Sequence, residues 1–524
     1  MGAHNGQAVS VNRNSTKRYS TDYSSVRSGS VHLGWMVSIV LLGGCAFLPD
    51  PAPPADIQLE QPAAASLGDG AALSEQPVPQ AWWRLFNDDQ LARLEGELAT
   101  GNLDLQLAAT RVEQSQARLG LVASAQGLQL DASAGYSRSR LSEFSRMAAL
   151  GAPTDPGDYW NLGTGASWEL DLWGQLSKRT AAAGQRLLAS RYELAGARVS
   201  VSAELARTYL LLRGVQQQLQ LARKELGINR DLLSLQQSRR AQGVATDYDT
   251  ASARAAVASA QAQIPLLETR RDQLMNALAL LLGRTPEALN EQLVVGTGLP
   301  ELPEQLPAGL PSELARRRPD ILAAEAELRA ATADIAAARA DFYPRITLGL
   351  SAGLEAIEGA DFGSWGARTF ALGPSLYLPI FQGGRLRRML ELTEAGEKAA
   401  AIGYRKTVLG AWHEVNNAMH EYREALRRYQ ALEQARVDTE RALEAVRRAR
   451  QHGYASRIAV LQAQLASVHR EQAQTDAATA SALSVVALYR ALGGGWSDQL
   501  APEMEPVSST ASRAEEKTVG GYSD

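Results

Sequence analysis

The sequence predicts an α+β protein: a membrane β-barrel to which each chain gives four strands, continuing into a barrel of long α-helices, all built from an internal duplication. Three observations predict it. Four segments alternate apolar and polar residues with period two. Two helical stretches each run for more than sixty residues. Landmark residues recur at a constant spacing of 210 positions.

Composition fits long packed helices. Hydrophobic residues make up 45% of the 524 positions but aromatics only 6%, so Ala and Leu carry the apolar share. A net charge of −4, with 21% charged residues, marks neither a nucleic-acid binder nor an acidic tail protein. The single cysteine, Cys45, excludes an intramolecular disulfide and a thiolate metal cluster. His413 and His420 lie seven apart on a helical stretch, where two exposed positions are the ordinary reading and a metal pair the rarer one.

Arg13, Lys17, Arg18 and Arg27 precede an apolar run from Val31 to Leu42, the order of an export signal and short for a membrane span. The run ends Leu41-Leu42-Gly43-Gly44-Cys45, which resembles the bacterial lipobox. Residues 1–44 then read as a lipoprotein signal peptide, and Cys45 as the acylated first residue of the mature chain. A signal-anchor helix with an incidental cysteine is the competing reading. Residues 45–80 form a Pro- and Ala-rich tether. Ala46 after the cysteine, rather than Asp, implies outer-membrane sorting in the lipoprotein resemblance. Buried acyl chains, at about 0.8 kcal/mol per methylene, anchor without a membrane helix.

The chain then repeats itself over residues 81–300 and 301–498, leaving a Ser/Thr/Glu-rich tail at 499–524. Gly243 and Gly453, Leu282 and Leu492, Leu176 and Leu386 are all 210 apart. Each copy has a helix (Asn102 to Gln126; Pro319 to Asp341), two strands, then a long helix (Gly174 to Gln242; Gly384 to His452) and a returning one. At 1.5 Å per residue each long helix extends about 100 Å. Glycine at the far end suits a helix stop, so each pair predicts an αα-hairpin with Gly243 or Gly453 near its tip. Gly184, Gly196 and Gly214 each weaken the first long helix by about 1 kcal/mol, which leaves room for a break there.

The strand segments start near Leu128, Trp160, Ile346 and Phe370. In the second, Trp160, Leu162, Thr164, Ala166, Trp168 and Leu170 share one face, and Asn161, Gly163, Gly165, Ser167 and Glu169 the other. Such alternation suits lipid on one side and water on the other; a half-exposed sheet packed on helices gives the same pattern. Tyr136, Trp160, Trp168 and Trp173 suit an interfacial aromatic girdle. Four strands cannot close, and open edges in lipid cost several kcal/mol per unpaired group. The smallest usual barrels have eight strands, so at least two chains must join, with three preferred.

Several stretches resemble one family, the outer-membrane factors of tripartite efflux systems, NodT-type relatives of TolC. They are Arg316 to Leu328 with its Arg-Pro-Asp-Ile, Ala340 to Leu348, Trp168 to Gly174, Pro379 to Arg385, Leu461 to Gln464, and Tyr489 to Trp496. The resemblance covers roughly Trp82 to Trp496. Arg457 to Leu461 departs from the family's usual Leu-Asp-Val-Leu, and Ala337 replaces a frequent glycine. The resemblance implies a homotrimer with a twelve-stranded barrel in the outer membrane lipid and a twelve-helix periplasmic tunnel. That tunnel would dock on a periplasmic adaptor protein and an inner-membrane RND-type pump, which supplies the energy.

In that setting the tips are the adaptor-contact surface: Gly243, Val244, Ala245, Thr246, Gly453, Tyr454, Ala455 and Ser456. Ala251, Ala255, Ala258 and Ala262 allow neighbouring helices to approach closely. Gate candidates are Asp231, Arg441, Glu444 and Arg447, because symmetry turns one inward charge into a ring. For each, a solvated outer face is the bland reading. Pairing of Arg441 or Arg447 across helices is the proposed latch.

No phosphate loop, nucleophile elbow or paired metal-ligand motif is present, so neither an enzyme nor a cofactor is expected. The rivals are a lipid-anchored coiled-coil scaffold that never spans the membrane and a type I protein-secretion duct.

Overall fold

A computed structural model describes residues 73–74, 76–294, 298–303, 305–309 and 317–496. The signal, Cys45 and the C-terminal tail lie outside the described residues.

A two-residue strand β1 (Leu73–Ser74) and a 3-10 turn, Trp82–Phe86, lead into helices α1 (Asp89–Gly101) and α2 (Leu103–Ser124). Strand β2 (Gln129–Ser139), a short helix α3 (Arg146–Ala149) and strand β3 (Gly157–Leu170) follow. The first hairpin is α4 (Gln175–Ala241) and α5 (Asp247–Leu281). A connection carrying α6 (Asn290–Leu293) and β4 (Leu306–Pro307) leads to α7 (Pro319–Ala340), β5 (Arg345–Ala356) and β6 (Arg368–Tyr377). The second hairpin, α8 (Arg385–Gln451) and α9 (Arg457–Ala491), completes the chain.

The long helices match their expected bounds to within a residue. The duplication is also structural: α2 and α7 both have 22 residues, α4 and α8 both 67, and α5 and α9 both 35. The offset is 216 from α2 to α7 and from β2 to β5, and 210 from α4 onward. The difference of six falls in the strand connections, residues 140–156 against the shorter 357–367.

Helix α4 does not take the break that its glycines leave open; it runs unbroken through Gly184, Gly196 and Gly214. At Gly214 close packing offsets the weak propensity. A Cβ on Gly214 would sit 2.5 Å from Thr479 Oγ1 of α9, so the missing side chain is what lets the two helices approach.

The helices form four columns. Both α5 and α2 pack along α4, both α9 and α7 pack along its other side, and α8 packs on α7 and α9. The short helices meet end to end. Asn102, which caps α2, donates from Nδ2 to the carbonyl of Leu281 at the end of α5, at 2.7 Å. Arg318, before α7, donates from Nη1 to the carbonyl of Ala491 at the end of α9, at 2.6 Å. Each junction therefore satisfies a helix-end carbonyl that would otherwise lack a partner.

The largest core lies at this level. Trp82, Phe86, Leu91, Leu94 and Leu98 bury against Tyr209 and Leu210 of α4, Leu278 of α5, Tyr422 of α8 and Tyr489 of α9. The Trp82 and Tyr489 rings stack at 5.5 Å. Each such side chain contributes about 1.5–3 kcal/mol of burial. A polar chain crosses the same core: Tyr209 donates to Asp88 Oδ2 at 2.7 Å, Arg213 Nε to Tyr209 Oη at 3.0 Å, and Arg213 Nη1 to Gln216 Oε1 at 2.9 Å. Asp88 Oδ1 meanwhile accepts from the backbone of Gln90 and Leu91, so one carboxylate caps α1 and docks it on α4.

Candidate functional site

The four long strands form one antiparallel sheet in the order β2-β3-β5-β6. Register brings the apolar sets together: Leu130, Ala166, Leu350 and Leu372 form one row, and Ala132, Thr164, Ala352 and Phe370 the next. Among the described residues no helix packs across either face. Leu130, Leu162, Leu350, Phe370 and Leu372 are all exposed, Phe370 by 86%. A sheet packed on helices would have covered one of these faces. The strands have 11, 14, 12 and 10 residues, the length that crosses a hydrocarbon core when tilted.

The stagger supplies the tilt. Ala134 shares a row with Arg368, where β6 begins, yet β2 runs on to Ser139. At the other end Gln129 shares a row with Gly373, yet β6 runs on to Tyr377. A shift of about four residues over three strand spacings, at ~3.3 Å per residue and ~4.8 Å per strand, gives a tilt of about 40°. Barrels in membranes use ~35–45°. Trp160 and Trp168 lie at the two ends of the apolar band on β3, about 26 Å of strand and about 20 Å of height at that tilt. Trp160, beside Tyr136, and Trp168 thus bracket the band, whereas Trp173 lies beyond the strand, half-buried and stacked on Tyr343.

The opposite face is polar and small. A Cβ on Gly165 would meet both carboxylate oxygens of Asp131 at 2.9 Å, and one on Gly135 would meet Asn161 Oδ1 at 2.4 Å. The glycines let these polar side chains lie flat along the sheet, which keeps that face open.

Where strands become helices, the quoted motifs acquire roles. Asp171 accepts from the backbone N–H groups of Leu176 and Ser177 at 2.9 and 2.8 Å, capping α4 after Gly174 turns the chain at φ 73°. Asp341 is reached by Gln175, by Arg179 at 3.3 Å and by Arg345 at 2.6 Å, tying the start of α4 to the handover from α7 to β5. Trp168 donates to the carbonyl of Gln126 at 3.0 Å and Trp173 to that of Pro344 at 2.7 Å. Arg318-Pro319-Asp320-Ile321 is the second helix junction: Arg318 bridges Ala491, Asp320 and Glu414, Pro319 opens α7, and Ile321 buries against Val408 and Ala411.

At the far ends Gly243 and Gly453 have φ of 73° and 83°. Val244 N–H donates to Arg239 O and Tyr454 N–H to Ala449 O, both at 2.8 Å, so both tips are Schellman stops. Thr246 and Ser456 then cap the returning helices. In the first tip the hydroxyl and backbone N–H of Thr246 hold the Asp249 carboxyl below its usual range, and Arg240 ion-pairs with Asp247 across the turn. Gly243, Val244, Thr246, Gly453, Tyr454 and Ser456 are exposed, with Ala245 and Ala455 half-buried beneath them. Asp231, Arg441, Glu444 and Arg447 are exposed on α4 and α8. Arg441 pairs at 3.1 Å with Asp438 on its own helix. The ties between the two hairpins lie elsewhere: Lys224 to Glu471 at 3.0 Å, His469 to Glu225 at 3.3 Å, and Gln218 to the carbonyl of Gln472 at 2.8 Å. Sequence reading missed these, because each joins residues some 250 positions apart with no motif to mark them.

Among the described residues, an amphipathic sheet left uncovered and unpaired at both edges, set on helical hairpins about 100 Å long, defines a subunit of a membrane channel with a helical extension. The chain belongs to the outer membrane efflux protein family, which it matches over residues 94–284 and 310–494, and it is an outer-membrane efflux channel. It is 33% identical to the outer membrane protein OprJ of Pseudomonas aeruginosa over 87% of this chain and 94% of that one. It is 32% identical to the pyoverdine export outer membrane protein OpmQ of the same organism, over 89% and 97%. The solved outer-membrane channel OprN is similar with a TM-score of 0.76 at 30% identity, covering 84% of this chain and 99% of that one.

Proposed function

We propose that three copies close a twelve-stranded barrel and form a passive exit duct, through which a periplasmic adaptor and an inner-membrane pump discharge small molecules. The observation that carries this reading is the apolar sheet face that none of the described residues covers, bounded by edges of β2 and β6 that pair with no other described strand. In lipid those edges must pair, and the next copy supplies the partner strand. Three copies give twelve strands, within the usual range. The helical columns carry the same demand, since among the described residues the α5–α2 column packs chiefly on α4, and α8 chiefly on the α9–α7 column. A lipid-anchored scaffold outside the membrane would leave Leu130, Leu350, Phe370 and Leu372 in water. A small-molecule cargo is supported by the pyoverdine export named for one relative.

Acylation of Cys45 would anchor the chain in the outer membrane. The exposed tips, from Gly243 to Thr246 and from Gly453 to Ser456, are the adaptor-contact surface. Asp231, Arg441, Glu444 and Arg447 line the constriction near those tips, where each becomes a threefold ring. The duct itself hydrolyses nothing; energy comes from the pump. The test is acylated protein in mild detergent, then in planar bilayers. A heat-modifiable trimer with single-channel conductance is expected, and a monomer that carries no ions defeats the reading.

A further inference from the structure

We propose that Arg368 and Arg138 bind the phosphate groups of an anionic glycolipid in the outer leaflet, at each seam between copies; the inference rests on the closed barrel proposed above. On the lipid face the two edge strands end alike. The column on β2 reads Leu130, Ala132, Ala134, Tyr136, Arg138, and that on β6, from the helix end outward, reads Leu376, Pro374, Leu372, Phe370, Arg368. These are the only basic side chains on that face of the four strands, and both stand at the end away from the helices. The central strands end instead in Asp158 and Ala356.

Stagger brings the two arginines level. Arg138 lies four residues beyond Ala134, which shares a row with Arg368. A tilt of about 40° over three strand spacings compensates a shift of that size. On closure β6 of one copy lies beside β2 of the next, so Arg368 and Arg138 of adjacent copies flank one seam.

Both guanidinium groups are held in place. Arg368 Cζ lies 3.8 Å over the Trp365 ring. Arg138 Nη1 is 3.3 Å from Asp158 Oδ1, which also accepts from Tyr136 Oη at 3.0 Å. A stacked guanidinium keeps its edge donors free for two parallel bonds to a phosphate. On the lipid face of the strands themselves, two cations stand against the single carboxylate of Asp158. Tyr136 and Trp160, with ring centroids 4.4 Å apart, and the exposed Trp365 add aromatic surface where a sugar ring would rest. Because Asp158 already engages Arg138, Arg368 carries the larger share.

The test uses delipidated full-length acylated protein, with bound phosphorylated lipid A counted by native mass spectrometry. Arg368→Gln should weaken retention by ~10-fold, Arg138→Gln by less, and Arg368→Lys by an intermediate amount. Dephosphorylated lipid A should bind the wild type no better than it binds Arg368→Gln. Equal retention by wild type and variants overturns the proposal. So does displacement of the lipid by millimolar inorganic phosphate, which marks a free-anion site, or equal binding of phosphatidylglycerol. Trimer mass and conductance are read on the same samples. A wild type that never trimerises defeats the barrel reading, whereas an intact trimer with unchanged lipid retention defeats only this one.

Discussion

Arg318 donates to the carbonyl oxygen of Ala491 at 2.6 Å, and so joins the end of α9 to the start of α7 as one column. The same guanidinium lies 2.8 Å from Asp320 and 2.8 Å from Glu414 of α8, so three helices meet at one cation. The equivalent junction of the first repeat uses the neutral amide of Asn102. Arg318→Met should cost about 2 kcal/mol, since it removes charged hydrogen bonds to the Ala491 carbonyl and to two carboxylates that stay partly hydrated. Arg318→Lys should recover only part, because a point charge cannot serve all three acceptors. Asn102→Ala should cost about 1 kcal/mol. Thermal unfolding of the three variants in detergent orders them.

Glu95 of α1 is buried against α4, where Ser202 Oγ donates to it at 2.9 Å. Burial pushes its pKa up from 4.5 to about 8, against the lowering effects of Ser202 and Arg198. The folded state therefore binds a proton that the unfolded state releases. The resulting penalty is absent below about pH 4.5, grows as pH rises, and is complete above about pH 8. Glu95→Gln should flatten stability across that window and exceed wild type at its alkaline end. Melting curves from pH 4 to 9 would show identical slopes for both proteins if Glu95 plays no such part.

Gly214 faces Thr479 at a distance that leaves no room for a Cβ. Gly214→Ala gains helix propensity of about 1 kcal/mol yet should destabilise by about 1–3 kcal/mol through overpacking. Adding Thr479→Ala removes the two nearest atoms and should restore most of the loss. A double variant no more stable than the single one would mean the two helices do not meet there.

Leu350 and Ser351 are neighbours on β5 that point to opposite faces. In a barrel, Leu350→Arg places a charge in lipid and should cost about 2–4 kcal/mol, with loss of assembled trimer. Ser351→Arg should assemble normally and shift ion selectivity toward anions. Equal tolerance of the two substitutions would place both faces in water.

Arg441 pairs with Asp438 on its own helix in the single chain. If it also closes the constriction, Arg441→Glu should raise single-channel conductance and change drug susceptibility in a strain relying on this duct. Unchanged conductance removes Arg441 from the gate.

Much of this was legible beforehand. The strands near Leu128, Trp160, Ile346 and Phe370 and the helices ending at Gly243 and Gly453 lie close to their expected bounds. Helix α1 was overlooked, although Asp88 followed by Leu91, Leu94 and Leu98 carried a cap and a helical spacing. The chain Asp88–Tyr209–Arg213–Gln216 was not readable, because α1 must first fold onto α4 before those groups meet. That α4 stays unbroken at Gly214 has the same kind of reason: propensity is local, and the contact with Thr479 is not.

Sequence by itself determined what periodicity and repetition can carry: which side of each strand is apolar, how long the helices run, where they stop, and that the unit occurs twice. These follow from backbone geometry within a few residues of each position. Only the tertiary structure decided that α5 meets α2 through Asn102 and α9 meets α7 through Arg318, that no described helix covers the sheet, and that its stagger sets a tilt. Such relations join residues far apart in the chain, and their energy exists only once the columns have packed.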